Sequence, residues 1–88
     1  MEIEFYFISM LSFSGSIMAK GQMYHLTFTK IFTLEGEKLF VAASNLHGKS
    51  IFFNMKKNKQ NRWRIFGRAP MWVRKAEAQL ENIIKQQI

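Results

Sequence analysis

The chain has 88 residues, 48% of them hydrophobic and 15% aromatic, with no cysteine and a formal net charge of +7. That length holds one domain at most. The apolar content excludes a disordered chain, and the lack of cysteine excludes a disulfide framework or a thiolate metal site.

Residues 1–13, MEIEFYFISMLSF, are dominated by apolar residues and lead into Ser14-Gly15-Ser16. Glu2 and Glu4 stand where a secretory leader carries bases. The run is also shorter than the ~20 apolar residues of a membrane-spanning helix. Residues 1–17 are read as an apolar N-terminal segment: an extra strand, an arm that packs on a partner, or an extension foreign to the fold. Ile3, Phe5, Phe7 and Leu11 alternate over part of its length, and the strand is favoured because an exposed run of Phe and Tyr would be an aggregation hazard. The single domain is set at residues 18–88.

Residues 23–34 alternate, with Tyr24, Leu26 and Phe28 on one face and His25, Thr27 and Thr29 on the other. Lys30-Ile31-Phe32 breaks that period, which predicts a bulge or twist there. After a turn at Glu35-Gly36, residues 37–44 predict a second strand with Leu39, Val41 and Ala43 on one face. Asn45 to Gly48 form the next turn, and residues 49–57 a third strand with Ile51, Phe53 and Met55 on one face. Asn58 to Asn61 make a polar hairpin tip, and residues 62–67 a fourth strand facing Trp63 and Ile65 the same way. Short connections make this an antiparallel meander. Pro70 suits the first position of a helix. Residues 71–87 then place Trp72, Val73, Ala76, Leu80, Ile83 and Ile84 at helical spacing. The expected fold is α+β: a four-stranded antiparallel β-meander with a C-terminal amphipathic helix packed on one face, ββββα.

Charge is unevenly spread along these elements. Between Glu37 and Glu77 there is no acid, yet there are ten bases, Lys38 to Lys75. One-signed charge destabilises a compact state by self-repulsion, so a polyanionic partner is expected. Period two places Lys38, Phe40, Phe52, Asn54, Lys56, Arg62, Arg64 and Phe66 together on the face away from the helix. Rings that stack on bases and cations that hold phosphates are what single-stranded nucleic acid needs. Lys57 and Lys59 extend the basic stretch into the hairpin tip. Arg68, Arg74 and Lys75 surround a helix start that has no acid and no capping side chain, where a phosphate would sit. These twelve residues, with Asn54 set aside, are the candidate nucleic-acid-binding set. A second subunit or the N-terminal segment covering Phe40, Phe52 and Phe66 would leave the bases as a rim.

Chemistry of other kinds is not written in the chain. Its six acids are all Glu, at a terminus, at a turn and as an i, i+4 pair on the helix. His25 and His47 lack the companions of a metal site. No nucleophile elbow or Gly-rich phosphate loop is present. An enzyme, a metal site and a cofactor are therefore not expected. Trp63 and Trp72 are read as core, joining the last strand to the helix.

Over residues 23–88 the order of four antiparallel strands and a helix resembles one repeat of the PUR-type and Whirly-type single-strand-binding proteins. The resemblance lies in layout alone and transfers no residues. It implies nucleic-acid binding by paired repeats. The expectation is a small, basic, cytoplasmic nucleic-acid-binding protein with weak sequence preference that works as a homodimer. A protein-interaction module without enzymatic activity is the alternative. Peripheral contact with an anionic membrane, through residues 1–13 and the basic strand, stays open.

Overall fold

The structure, a computed structural model, describes residues 12–34 and 36–87. Five strands form one antiparallel sheet in chain order: β1 Ser12–Ala19, β2 Gln22–Thr33, β3 Gly36–Ser44, β4 Ser50–Lys57 and β5 Trp63–Phe66. Two helices follow, α1 Met71–Lys75 and α2 Glu77–Gln87. The α+β class and the meander are as expected, but the sheet has five strands rather than four.

The additional strand is β1. It overlaps residues 1–17, for which an extra strand is the favoured reading, and Ser12, Ser14 and Ser16 all point to its exposed face. The residues between them face the core: Phe13 stacks on Phe28 at 4.8 Å and Ile17 is buried. Gly15 lies against α2, where a Cβ atom would stand 2.9 Å from Ile83 Cγ2. The strand crosses the boundary drawn at residue 18, while residues 1–11 lie outside the described residues. Lys20 and Gly21, at φ 55° and 73°, close β1 onto β2 in a two-residue turn. Left-handed angles at both positions match the twist of the strands they join.

No bulge interrupts β2. Lys30 pairs with Leu39, Ile31 with Lys38 and Phe32 with Glu37 in unbroken register. The Lys30 Nζ reaches Glu37 Oε1 at 3.3 Å, so a charge on the core side is neutralised locally.

The β3–β4 and β4–β5 hairpins use the same device twice. Asn45 Oδ1 accepts the amides of His47 and Lys49 at 2.9 and 3.1 Å. Asn58 Oδ1 accepts those of Gln60 and Arg62 at 2.9 and 3.0 Å. Each turn then needs a left-handed residue, supplied by Gly48 (φ 81°) and Asn61 (φ 65°).

The helical segment is divided where one helix was expected. Ala76, at φ −92° and ψ 7°, leaves helical geometry, and its amide bonds Val73 O at 3.0 Å. Pro70 is the cap itself, one residue before the first helical position. Phe28, Leu39, Val41 and Met55 from the sheet meet Val73, Leu80 and Ile84 from the helices in one buried core. Each such side chain contributes about 1.5–3 kcal/mol by burial. Trp63 belongs to that core, and partly buried Trp72 packs against it by stacking on the core residue Tyr24 of β2 at 4.3 Å.

A basic and aromatic sheet face as candidate nucleic-acid interface

The register fixes the face away from the helices. Lys38 pairs with Lys56, and Lys56 with Arg64; Phe40 pairs with Asn54, and Asn54 with Phe66. These residues share one parity and so share a face. Phe40, Phe52 and Phe66 are 38%, 59% and 40% exposed there, which makes them available to a ligand. Phe40 and Phe52 stack at 5.7 Å with their planes 14° apart. Lys56 Nζ sits 4.3 Å and Lys38 Nζ 5.9 Å from the Phe66 ring centre. The rings and two cations thus form one continuous patch on β3, β4 and β5. The rest of the face, on β1 and β2, is neutral and rich in hydroxyls: Ser14, Ser16, Thr27 and Thr29, with His25.

Arg62, just before β5, and Arg64 within it are placed differently from expectation. Arg62 does not point its guanidinium over the face. Its Nε and Nη2 donate to Glu81 of α2 at 2.8 to 3.1 Å. Arg64 Nη1 donates to Trp63 O at 2.9 Å and to Glu81 Oε1 at 3.3 Å. Both are drawn to the sheet edge because Glu81 is buried and must be matched. The Glu81 carboxyl is lowered from 4.5 to about 2, chiefly by the hydrogen bonds from Arg62 and further by the Trp63 amide, against the opposing effect of burial.

Glu81 and Glu77 also complete the backbone of β5. Trp63 N donates to Glu81 Oε2 at 2.9 Å and Ile65 N to Glu77 Oε2 at 2.7 Å. These are the outward amides of the edge strand, which would otherwise seek another strand. Sequence reading assigned neither glutamate a task. The signal available was their i, i+4 spacing on the helix that follows a short final strand.

The remaining candidates divide. Arg68 and Arg74 join Phe52 around a shallow hollow, so they adjoin the patch. Arg74 Nη2 also donates to Gly67 O at 2.6 Å. Lys75 lines a separate hollow with Met18, Lys20 and Trp72. Lys57 lies on the opposite parity, its Nζ 5.7 Å from the Trp63 ring. Lys59 stands exposed in the β4–β5 turn. The helix start is uncapped by any side chain, but α1 is a single short turn of five residues and offers no developed anion site. Among the described residues no group of three His, Cys, Asp or Glu could hold a metal. No described helix is long and apolar enough to cross a membrane.

Compared with protein-family models, curated proteins and solved structures, the chain finds no match. The five strands and divided helix also depart from the four-strand repeat layout that the sequence resembles.

Proposed function

We propose that this protein binds single-stranded nucleic acid with little sequence preference, using the β3–β4–β5 face. It acts as a binding protein rather than an enzyme, in a reducing compartment such as the cytoplasm. The observation that carries this reading is the placement of Lys38 and Lys56 beside Phe66, next to the exposed Phe40–Phe52 pair. Aromatic rings accept base stacking at about 1–3 kcal/mol per base, and the flanking ammonium groups supply the phosphate attraction. Duplex DNA suits the patch less well, since its bases are already stacked.

A protein-interaction surface is the second reading, favoured by the exposure of Phe52. Lysine is depleted from the cores of protein interfaces, so lysines against the rings favour a polyanion. The test is a binding titration with a single-stranded oligonucleotide across a range of salt. Lys38, Lys56, Lys59 and Arg68 are the cations counted, because the guanidinium groups of Arg62 and Arg64 are engaged by hydrogen bonds to Glu81 and that of Arg74 by one to Gly67 O. Four neutralised phosphates give log K against log salt a slope of about −3 for a single strand. Phe52→Ala is expected to weaken binding about tenfold, equivalent to ~1.4 kcal/mol. No binding at low salt rejects the proposal. A salt-independent affinity for a protein partner, lost in Phe52→Ala, establishes the second reading.

A further inference from the structure

The two edges of the sheet are treated unlike each other. On β5, Glu77 and Glu81 close the outward amides of Ile65 and Trp63. On β1, among the described residues, neither a strand nor a side chain bonds the outward backbone groups. Which groups these are follows from the hairpin. The two-residue turn makes Ala19 and Gln22 a hydrogen-bonded pair, and pairing alternates from there. The amides of Ser12, Ser14, Ser16 and Met18 therefore point away from β2.

Edge strands are ordinarily guarded by Lys, Pro or a bulge. From Ser12 to Ala19 there is no charge and no proline, and the pairing to β2 is unbroken. We propose that β1 is a self-association edge, and that two copies of this chain join there, β1 to β1 antiparallel, in one ten-stranded sheet. The proposal does not depend on what the basic face binds.

Three arguments select a second copy as the occupant. First, an antiparallel strand pair about a twofold axis is self-complementary, so one edge serves both copies. A register centred on Gly15 sets Ser14 opposite Ser16 and Ser12 opposite Met18, which uses every outward amide. It also brings Phe13 of one copy beside Ile17 of the other on the core side. Second, the chain carries +7, and its copies must meet where that charge is absent. The patch begins on β3, five strand spacings from its counterpart, or about 24 Å at ~4.8 Å each. That exceeds the ~8 Å screening length of physiological salt, so repulsion between the patches is largely lost. Third, sealing β5 leaves one free edge among the described residues, so association closes at two copies and cannot propagate.

This symmetry axis is perpendicular to the sheet and keeps both basic faces on the same side. One strand of nucleic acid could then engage both patches across the neutral hydroxyl-rich centre, a bivalent arrangement.

The experiment is light scattering together with amide hydrogen exchange on the full chain. The expected result is a mass of two chains and protection of the Ser14, Ser16 and Met18 amides that rises with protein concentration. Ser16→Pro deletes one outward donor and leaves the β1–β2 ladder intact. Folded Ser16→Pro is expected to fall to a mass of one chain, while Phe52→Ala stays at two. Should Ser16→Pro not fold, Ser14→Lys/Ser16→Lys sets like charges opposite each other across the twofold and is expected to give the same fall. A wild-type mass of one chain overturns the proposal. So does a dimer retained by both β1 variants, or one lost in Phe52→Ala.

Discussion

Glu81 Oε2 accepts the Trp63 amide at 2.9 Å across 18 residues of chain, so a helix side chain finishes the hydrogen bonding of a strand. Glu81→Ala leaves that buried donor without an acceptor, at a cost of about 1–3 kcal/mol. Thermal unfolding of the variant is expected about 10 °C below wild type, since each kcal/mol moves a domain of this size by ~4–8 °C. Glu81→Gln keeps one acceptor and is expected between the two.

Acid should act through the same carboxyl. Its value is depressed in the fold to about 2, from 4.5. Depression means that the stabilisation is complete above the unfolded value and is lost as pH falls through the folded one. Stability is expected to drop between about pH 4.5 and 2 in wild type. Glu81→Gln has no proton to gain there and should lose less over that window, which denaturant titrations at stepped pH would read.

Two basic residues of the same stretch should separate by what they affect. Arg62→Ala removes the bidentate partner of Glu81 and is expected to lower the unfolding temperature, with oligonucleotide affinity nearly unchanged. Lys56→Ala removes an exposed cation from the Phe66 ring and is expected to leave stability within about 0.5 kcal/mol of wild type. Its binding should be weaker and its salt slope shallower by about 0.7. Paired melting and binding measurements check both.

Gly15→Val should strain the contact between β1 and α2. A Cβ there stands 2.9 and 3.1 Å from the Cγ2 and Cδ1 atoms of Ile83, before its methyl groups are added. Overpacking of this kind costs about 1–3 kcal/mol. Gly15→Val/Ile83→Ala reopens the space, and its denaturation midpoint is expected to recover part of the loss.

The meander and its faces were legible because a period of two is strict. Once Leu39, Val41, Phe53 and Met55 are assigned inward, Lys38, Phe40, Phe52 and Lys56 can only face outward. The turns were legible from Asn45, Gly48 and Asn58. β1 is legible only in part: an extra strand is the favoured reading of residues 1–17, but the span Ser12–Ala19 is not marked, because serine and glycine have low strand propensity and only Phe13 and Ile17 mark its core side. Arg62 was misplaced for a different reason. Its parity fits the open face, but β5 is an edge, and being an edge is a tertiary property. A buried carboxylate beside that edge outweighs a solvated position on the face. The division at Ala76 left no trace in the helical spacing.

The paired bonds from α2 to β5 act as a ruler. Glu77 and Glu81 are four helical residues apart, about 6 Å at ~1.5 Å per residue. Ile65 and Trp63 are two strand residues apart, about 6.6 Å at ~3.3 Å each. The two repeats nearly coincide, so both carboxylates meet amides at once, in opposite chain directions. Sliding β5 by one residue would offer the carboxylates the amides of its neighbours at the same spacing, but would turn Trp63 out of the core and Arg64 into it. The helix seals the edge of β5, while buried Trp63 fixes the alignment of Arg64 and Phe66 against Lys56 and Asn54.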